Sequence, residues 1–161
     1  MSRGAGTPRR RLGLSGSVGS MSEDTHRRVR IERIANSRYT VTNERGGRMT
    51  ISSGDGTDFT PVELLLAAIG GCTAIDVDIL TSRRAEPDSF SVEVGAEKVR
   101  DEKGRNQLED IVVTFRITFP DGEGGDKARA LLPDAVKRSH ESLCTVSRTV
   151  ELGTPVALRI E

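Results

Sequence analysis

Cys72 and Cys144 are the two residues with the most chemistry to offer. A thiolate is a nucleophile, and two thiols that meet can exchange electrons as a disulfide. The Gly/Ser-rich stretch over residues 1–20 holds only Leu12, Leu14 and Val18 as large apolar residues, too few for a secretory signal. A reducing cytoplasmic setting is therefore expected. There, two cysteines are either inert core packing or a redox pair.

Rival constellations are weaker. His26, Cys72, His140 and Cys144 form a nominal zinc set, but no pair has the close spacing of a zinc finger, so no metal is expected. Gly122–Lys127 is glycine-rich yet lacks the full phosphate-loop pattern, and no G-x-S-x-G elbow is present. No cofactor is expected. Lys+Arg and Asp+Glu both number 24 in the 161 residues, and only 3% are aromatic, with no Trp. That balance argues against a nucleic-acid binder, which needs basic excess or stacking platforms. Arg3, Arg9, Arg10 and Arg11 give residues 1–20 a local charge of +4, leaving 20 basic against 24 acidic residues beyond them. A disordered basic leader over 1–20 before one domain over 21–161 is the expected organisation.

The elements that must position the cysteines follow from pattern. Val29–Ile34, Arg38–Thr42 and Arg48–Ser52 alternate or are β-branched, with turn residues between them, and predict a small antiparallel meander. Thr60, Pro61 and Glu63 make a capping box with a helix-starting proline. The helix they open should run from Pro61 to about Arg83, carrying Cys72 in its middle. Its apolar residues point in every direction, as in a buried helix. The uncharged run from Leu64 to Ile75 is short for a membrane span, so no membrane partner is expected. Gly70-Gly71, beside Cys72, predicts a kink or close approach by another backbone.

Phe90–Glu97 and Leu108–Phe119 alternate with period two and predict a hairpin across the polar connector Asp101–Gln107. A second helix is expected over Asp126–Leu143, kinked or restarted at Pro133. Arg148–Leu152 and Pro155–Ile160 read as closing strands, the latter at an edge. Hairpins without regular βαβ alternation give an α+β fold.

Thr60-Pro61-Val62-Glu63-Leu64-Leu65-Leu66-Ala67-Ala68-Ile69-Gly70-Gly71-Cys72-Thr73-Ala74-Ile75-Asp76-Val77 resembles the signature helix of the OsmC/Ohr family, the osmotically inducible and organic hydroperoxide resistance proteins. Cys144-Thr145-Val146-Ser147 is similar to that family's second cysteine motif, with Thr145 in place of proline. The glycine–cysteine run is most similar to the YhfA-like branch. The resemblance implies two central buried helices wrapped by antiparallel sheets in an intertwined homodimer. It also implies thiol-dependent reduction of organic hydroperoxides, with Cys72 attacking and Cys144 resolving, and a lipoyl- or thioredoxin-type dithiol as reductant. The family's activating glutamate falls at Val62 here, and Glu63 stands one place later, about 100° around the helix. Of the N-terminal arginines that could activate the thiol, Arg38 matches best by position; Arg45 and Arg48 compete. The alternative is a non-catalytic or small-ligand-binding relative whose thiols are structural.

Overall fold

Thr60 opens the longest element. Its hydroxyl accepts from the Glu63 N–H at 3.2 Å, and the Glu63 carboxylate accepts from the Thr60 N–H at 2.7 Å. Pro61 occupies the first helical position, where an N–H would have no partner. Helix α1 then runs over Pro61–Thr81. The computed structural model of the protein describes Met1 and residues 25–161; apart from Met1, the leader expected over 1–20 lies outside the described residues.

Before α1, strands β1 (Val29–Ala35), β2 (Arg38–Asn43) and β3 (Arg48–Ser52) form an antiparallel meander in the order β1-β2-β3. After it, β4 (Ser89–Arg100) and β5 (Asn106–Thr118) form an antiparallel hairpin. The hairpin turn is organised by Asp101, whose Oδ1 accepts from the N–H groups of Lys103 and Arg105 at 2.9 and 2.8 Å. Asp110 adopts φ 51°, and the β4–β5 register slips between Gly95 and Glu97. The bulge shifts the alternation by one residue, so Leu108 and Ile111 both turn inward although three positions apart. The fold is α+β, as the pattern predicts.

Helix α2 spans Glu123–Arg138, and a π-helical turn over Ser139–Leu143 delivers the chain to Cys144. The helix begins earlier than expected, because Gly122 at φ 106° turns the chain into it. It continues through Pro133 without a restart, and the irregularity falls at the π turn instead.

The closing strands are a correction. Thr145–Glu151 is helix α3, and 152–161 pairs with no strand among the described residues. The β-branched Val146, Thr149 and Val150 suggest a strand. Local capping overrides them: Cys144 accepts from the Ser147 N–H, and Thr149 donates to the Thr145 carbonyl at 2.7 Å.

Helix α1 packs on α2 and on β4. Its buried stripe is Ile69, Thr73, Val77 and Thr81, spaced every four residues with Gly70 beside it. The two threonines are satisfied by donating to the carbonyls of Ile69 and Val77, each at 2.9 Å. Facing residues are small, with Ala128, Ala135 and Ser139 of α2 and its π turn all buried. The expectation of burial all round is met only along this stripe: Leu65, Ile75 and Ile79 are exposed, on faces that α2, the π turn, α3 and β4 leave uncovered. By length and mean hydropathy (1.8) α1 could cross a membrane. Asp76 and Asp78 in its second half are charges that a bilayer core penalises, and Asp76 is held by Ser139.

Gly70 marks the tightest approach. A Cβ there would lie 2.5 Å from Cγ2 of Val94 on β4. The helix is unbroken, so the glycine serves close packing against a side chain. Gly70→Ala should gain about 1 kcal/mol in helix propensity and lose more to overpacking, which typically costs about 1–3 kcal/mol. Urea melts should show net destabilisation, and the Gly70→Ala/Val94→Ala double variant should lose less than the sum of its parts. Additive losses would show that the two residues do not press on each other.

Candidate functional site

Cys72 sits midway along α1, where helix geometry fixes its direction. Cys144 follows the π turn, where its N–H donates back to the Ser139 carbonyl at 2.9 Å while its sulfur caps α3. The α1–α2 packing brings the two together. Their sulfurs and a carboxylate oxygen of Asp76 all lie within 4.8 Å of one another, and both cysteines are free thiols. Cys72 is half-buried and Cys144 fully buried.

Their surroundings differ. Burial pushes the Cys72 thiol up; the Val146 N–H opposes this, while Cys144 and Asp76 reinforce it. Burial also works against the Cys144 thiolate, but hydrogen bonds outweigh it and bring that thiol below its ordinary value. The Ser147 N–H reaches its sulfur at 3.4 Å, the Ser147 hydroxyl lies at 3.2 Å and the Thr73 hydroxyl at 3.6 Å. Cys72 adds a further hydrogen bond to it. Within one chain the Cys144 thiol is thus lowered and the Cys72 thiol raised.

The other expected site residues are placed elsewhere. Arg38 donates from Nε to Asp58 Oδ2 at 2.6 Å and is engaged there. Glu63 completes the capping box, and the Thr60 N–H and hydroxyl hold its carboxyl below the usual range. It also borders an apolar groove of about 360 Å³ along α1 and β4, lined by Leu66, Gly70, Gly71, Ala74, Val92 and Val94. Neither Cys72 nor Cys144 lines this groove. His140 lies 3.5 Å from Glu151 and is turned toward solvent.

The residue that sequence reasoning missed is Asp76. It stands four positions after Cys72, one helical turn along the same face. Its Oδ2 accepts from the Ser139 hydroxyl at 2.8 Å, which ties it to the end of α2. The helical spacing alone could have placed it beside the thiol.

Residues 54–159 match the family described as OsmC-like protein, and the chain belongs to that family. An uncharacterized protein of Mycobacterium tuberculosis is 30% identical over 132 residues, covering 81% of this chain and 93% of the relative. Among solved structures, an OsmC-like protein of unknown function from Vibrio cholerae superposes with TM-score 0.66 at 13% identity, covering 79% of this chain and 94% of the other. An organic hydroperoxide resistance protein from Elizabethkingia anophelis superposes with TM-score 0.55 at 13% identity, covering 78% and 90%. At these identities the structural likenesses establish the fold.

Because the two thiols share a site, they titrate as a pair. Ultraviolet thiolate absorbance of the reduced chain should rise in two steps, one below and one above the ordinary cysteine value. Cys144→Ser should remove the lower step. A single step at the ordinary value in the wild type would show that the two sulfurs do not interact.

Proposed function

We propose that the protein reduces organic hydroperoxides through its paired thiols, as a cytoplasmic homodimer. The observation that carries this is a half-exposed and a fully buried free cysteine held together in an OsmC-like fold. Access assigns the roles. Cys72 is the sulfur a peroxide can reach, and Cys144 resolves.

Cys72 sulfur attacks the outer peroxide oxygen and the O–O bond breaks. The thiol and hydroperoxide give a sulfenic acid on Cys72 and an alcohol, with the protons divided between them. The Cys144 thiolate, already favoured by its hydrogen bonds, then attacks the sulfenic sulfur. With one proton taken up, water leaves and a disulfide forms. An external dithiol returns both sulfurs to thiols and becomes a disulfide itself; a lipoyl- or thioredoxin-type donor fits that exchange. The family resemblance favours organic hydroperoxides over hydrogen peroxide as the substrate.

Dimerisation supplies what one chain lacks. Every residue of β1 is exposed, including Val29, Ile31 and Ile34, and so are Ile75 and Ile79 on α1 and Val156, Leu158 and Ile160 in the closing segment. Apolar surface on this scale marks an interface. A second copy can also bring a cation from its N-terminal strands to Cys72; Arg38 remains the residue proposed for this, released from Asp58. Glu63 then serves the helix cap alone.

The raised thiol of Cys72 favours a second reading, in which the pair is structural and idle. Peroxide consumption with dithiothreitol separates the two. The reduced wild type should consume cumene hydroperoxide faster than hydrogen peroxide, Cys72→Ser should be inactive, and Cys144→Ser should accumulate a sulfenic acid on Cys72. Arg38→Met should slow turnover roughly ten- to hundredfold. Wild-type consumption equal to that of Cys72→Ser would establish the idle reading. Light scattering should give twice the 17.4 kDa chain mass; a monomer at micromolar concentration would refute the dimer.

A further inference from the structure

The cluster of Cys72, Asp76 and Cys144 has a composition that redox chemistry does not require. A disulfide needs two sulfurs; here a carboxylate oxygen lies within 4.8 Å of both. Two sulfurs and one oxygen, converging from one helix face and from the residue after the π turn, are a ligand set. We propose that, in the reduced protein, these three residues form a binding site for a zinc-class divalent cation, coordinated by two thiolates and one carboxylate with the fourth position left to water.

The geometry suits that ion. Tetrahedral zinc with Zn–S near 2.3 Å and Zn–O near 2.0 Å needs edges of about 3.8 Å between sulfurs and about 3.5 Å between sulfur and oxygen. The three ligand atoms already lie within 4.8 Å of one another, close to those edge lengths. Hard cations of the calcium and magnesium kind take oxygen ligands and are not served by two sulfurs. The positions of two ligands are also fixed from outside. The Ser139 hydroxyl donates to Asp76 Oδ2 at 2.8 Å, and the Ser147 N–H points at Cys144 Sγ at 3.4 Å. Such outer partners hold ligating atoms in place before the metal arrives. His140, the nearest candidate by sequence, is spent on Glu151 and takes no part.

Cation and disulfide compete for the same two sulfurs. A metal-loaded site cannot close the Cys72–Cys144 bond, and the oxidised pair cannot hold the metal. The site would make thiol reactivity answer to the supply of free zinc, and it would do so whether or not peroxide is the natural substrate.

The test is metal binding, read apart from peroxide activity. The full chain is reduced, stripped with a chelator and titrated with cobalt(II). One cobalt per chain is expected, with thiolate-to-cobalt charge-transfer absorption and the strong visible bands of four-coordination; zinc should displace it. Cys72→Ser and Cys144→Ser should each lose about half of the charge-transfer intensity. Asp76→Asn should weaken binding at least about tenfold, and His140→Ala should leave it unchanged. Pre-formed disulfide should abolish the signal. Absence of charge transfer in the reduced wild type overturns the proposal, and that arm involves no variant that could misfold. Wild-type affinity in Asp76→Asn, with folding verified by circular dichroism, or loss of binding in His140→Ala, overturns the ligand set. Peroxide consumption without cobalt binding would sink this inference and leave the peroxidase reading standing.

Discussion

Two sulfurs far apart in the chain must meet inside the protein, and the packing of α1 on α2 is the contact that makes them do so. A cysteine in the middle of a helix cannot travel. The second thiol has to be brought to it, and that requires two helices to approach closely. The contact is accordingly built from small residues: Thr73 on α1, Ala128, Ala135 and Ser139 opposite. Larger side chains would separate the axes, since helix spacing follows the residues at the contact. The Ser139–Asp76 hydrogen bond pins the register at the end where the sulfurs meet.

Electrostatics at that meeting point divides the labour. The sulfur with more hydrogen bonds is the buried one, and the sulfur with access to solvent is the one whose thiol burial pushes up, with Cys144 and Asp76 adding to the effect. The lowered thiol and the accessible thiol are thus different atoms. In the proposed reaction, the lowered thiol is the one that resolves.

How much of this the sequence disclosed depends on the range of the interactions involved. The capping box at Thr60, the meander, the β4–β5 hairpin and the pairing of Cys72 with Cys144 were legible, because periodicity, turn residues and the paired motifs carry them. The bulge at Asp110 was not, since a single left-handed residue leaves no pattern. The closing helix was missed because β-branched residues outvoted a cap made by a cysteine, an uncommon capping side chain. Asp76 stands in plain view one helical turn after Cys72, but its tie to Ser139 is a long-range contact that no local window contains. The ion pair of Arg38 with Asp58 is long-range in the same way.

Cys144 holds two positions in the backbone at once. Its N–H closes the π turn on Ser139, and its sulfur receives the N–H of Ser147, the third residue of α3. A sulfur locked in a disulfide is neutral and geometrically committed, and so a poorer acceptor than the thiolate it replaces. Oxidation therefore withdraws the cap from α3 at the moment the electrons leave. The nine residues after Leu152 follow that short helix, so disulfide formation at Cys144 would reach the end of the chain through α3.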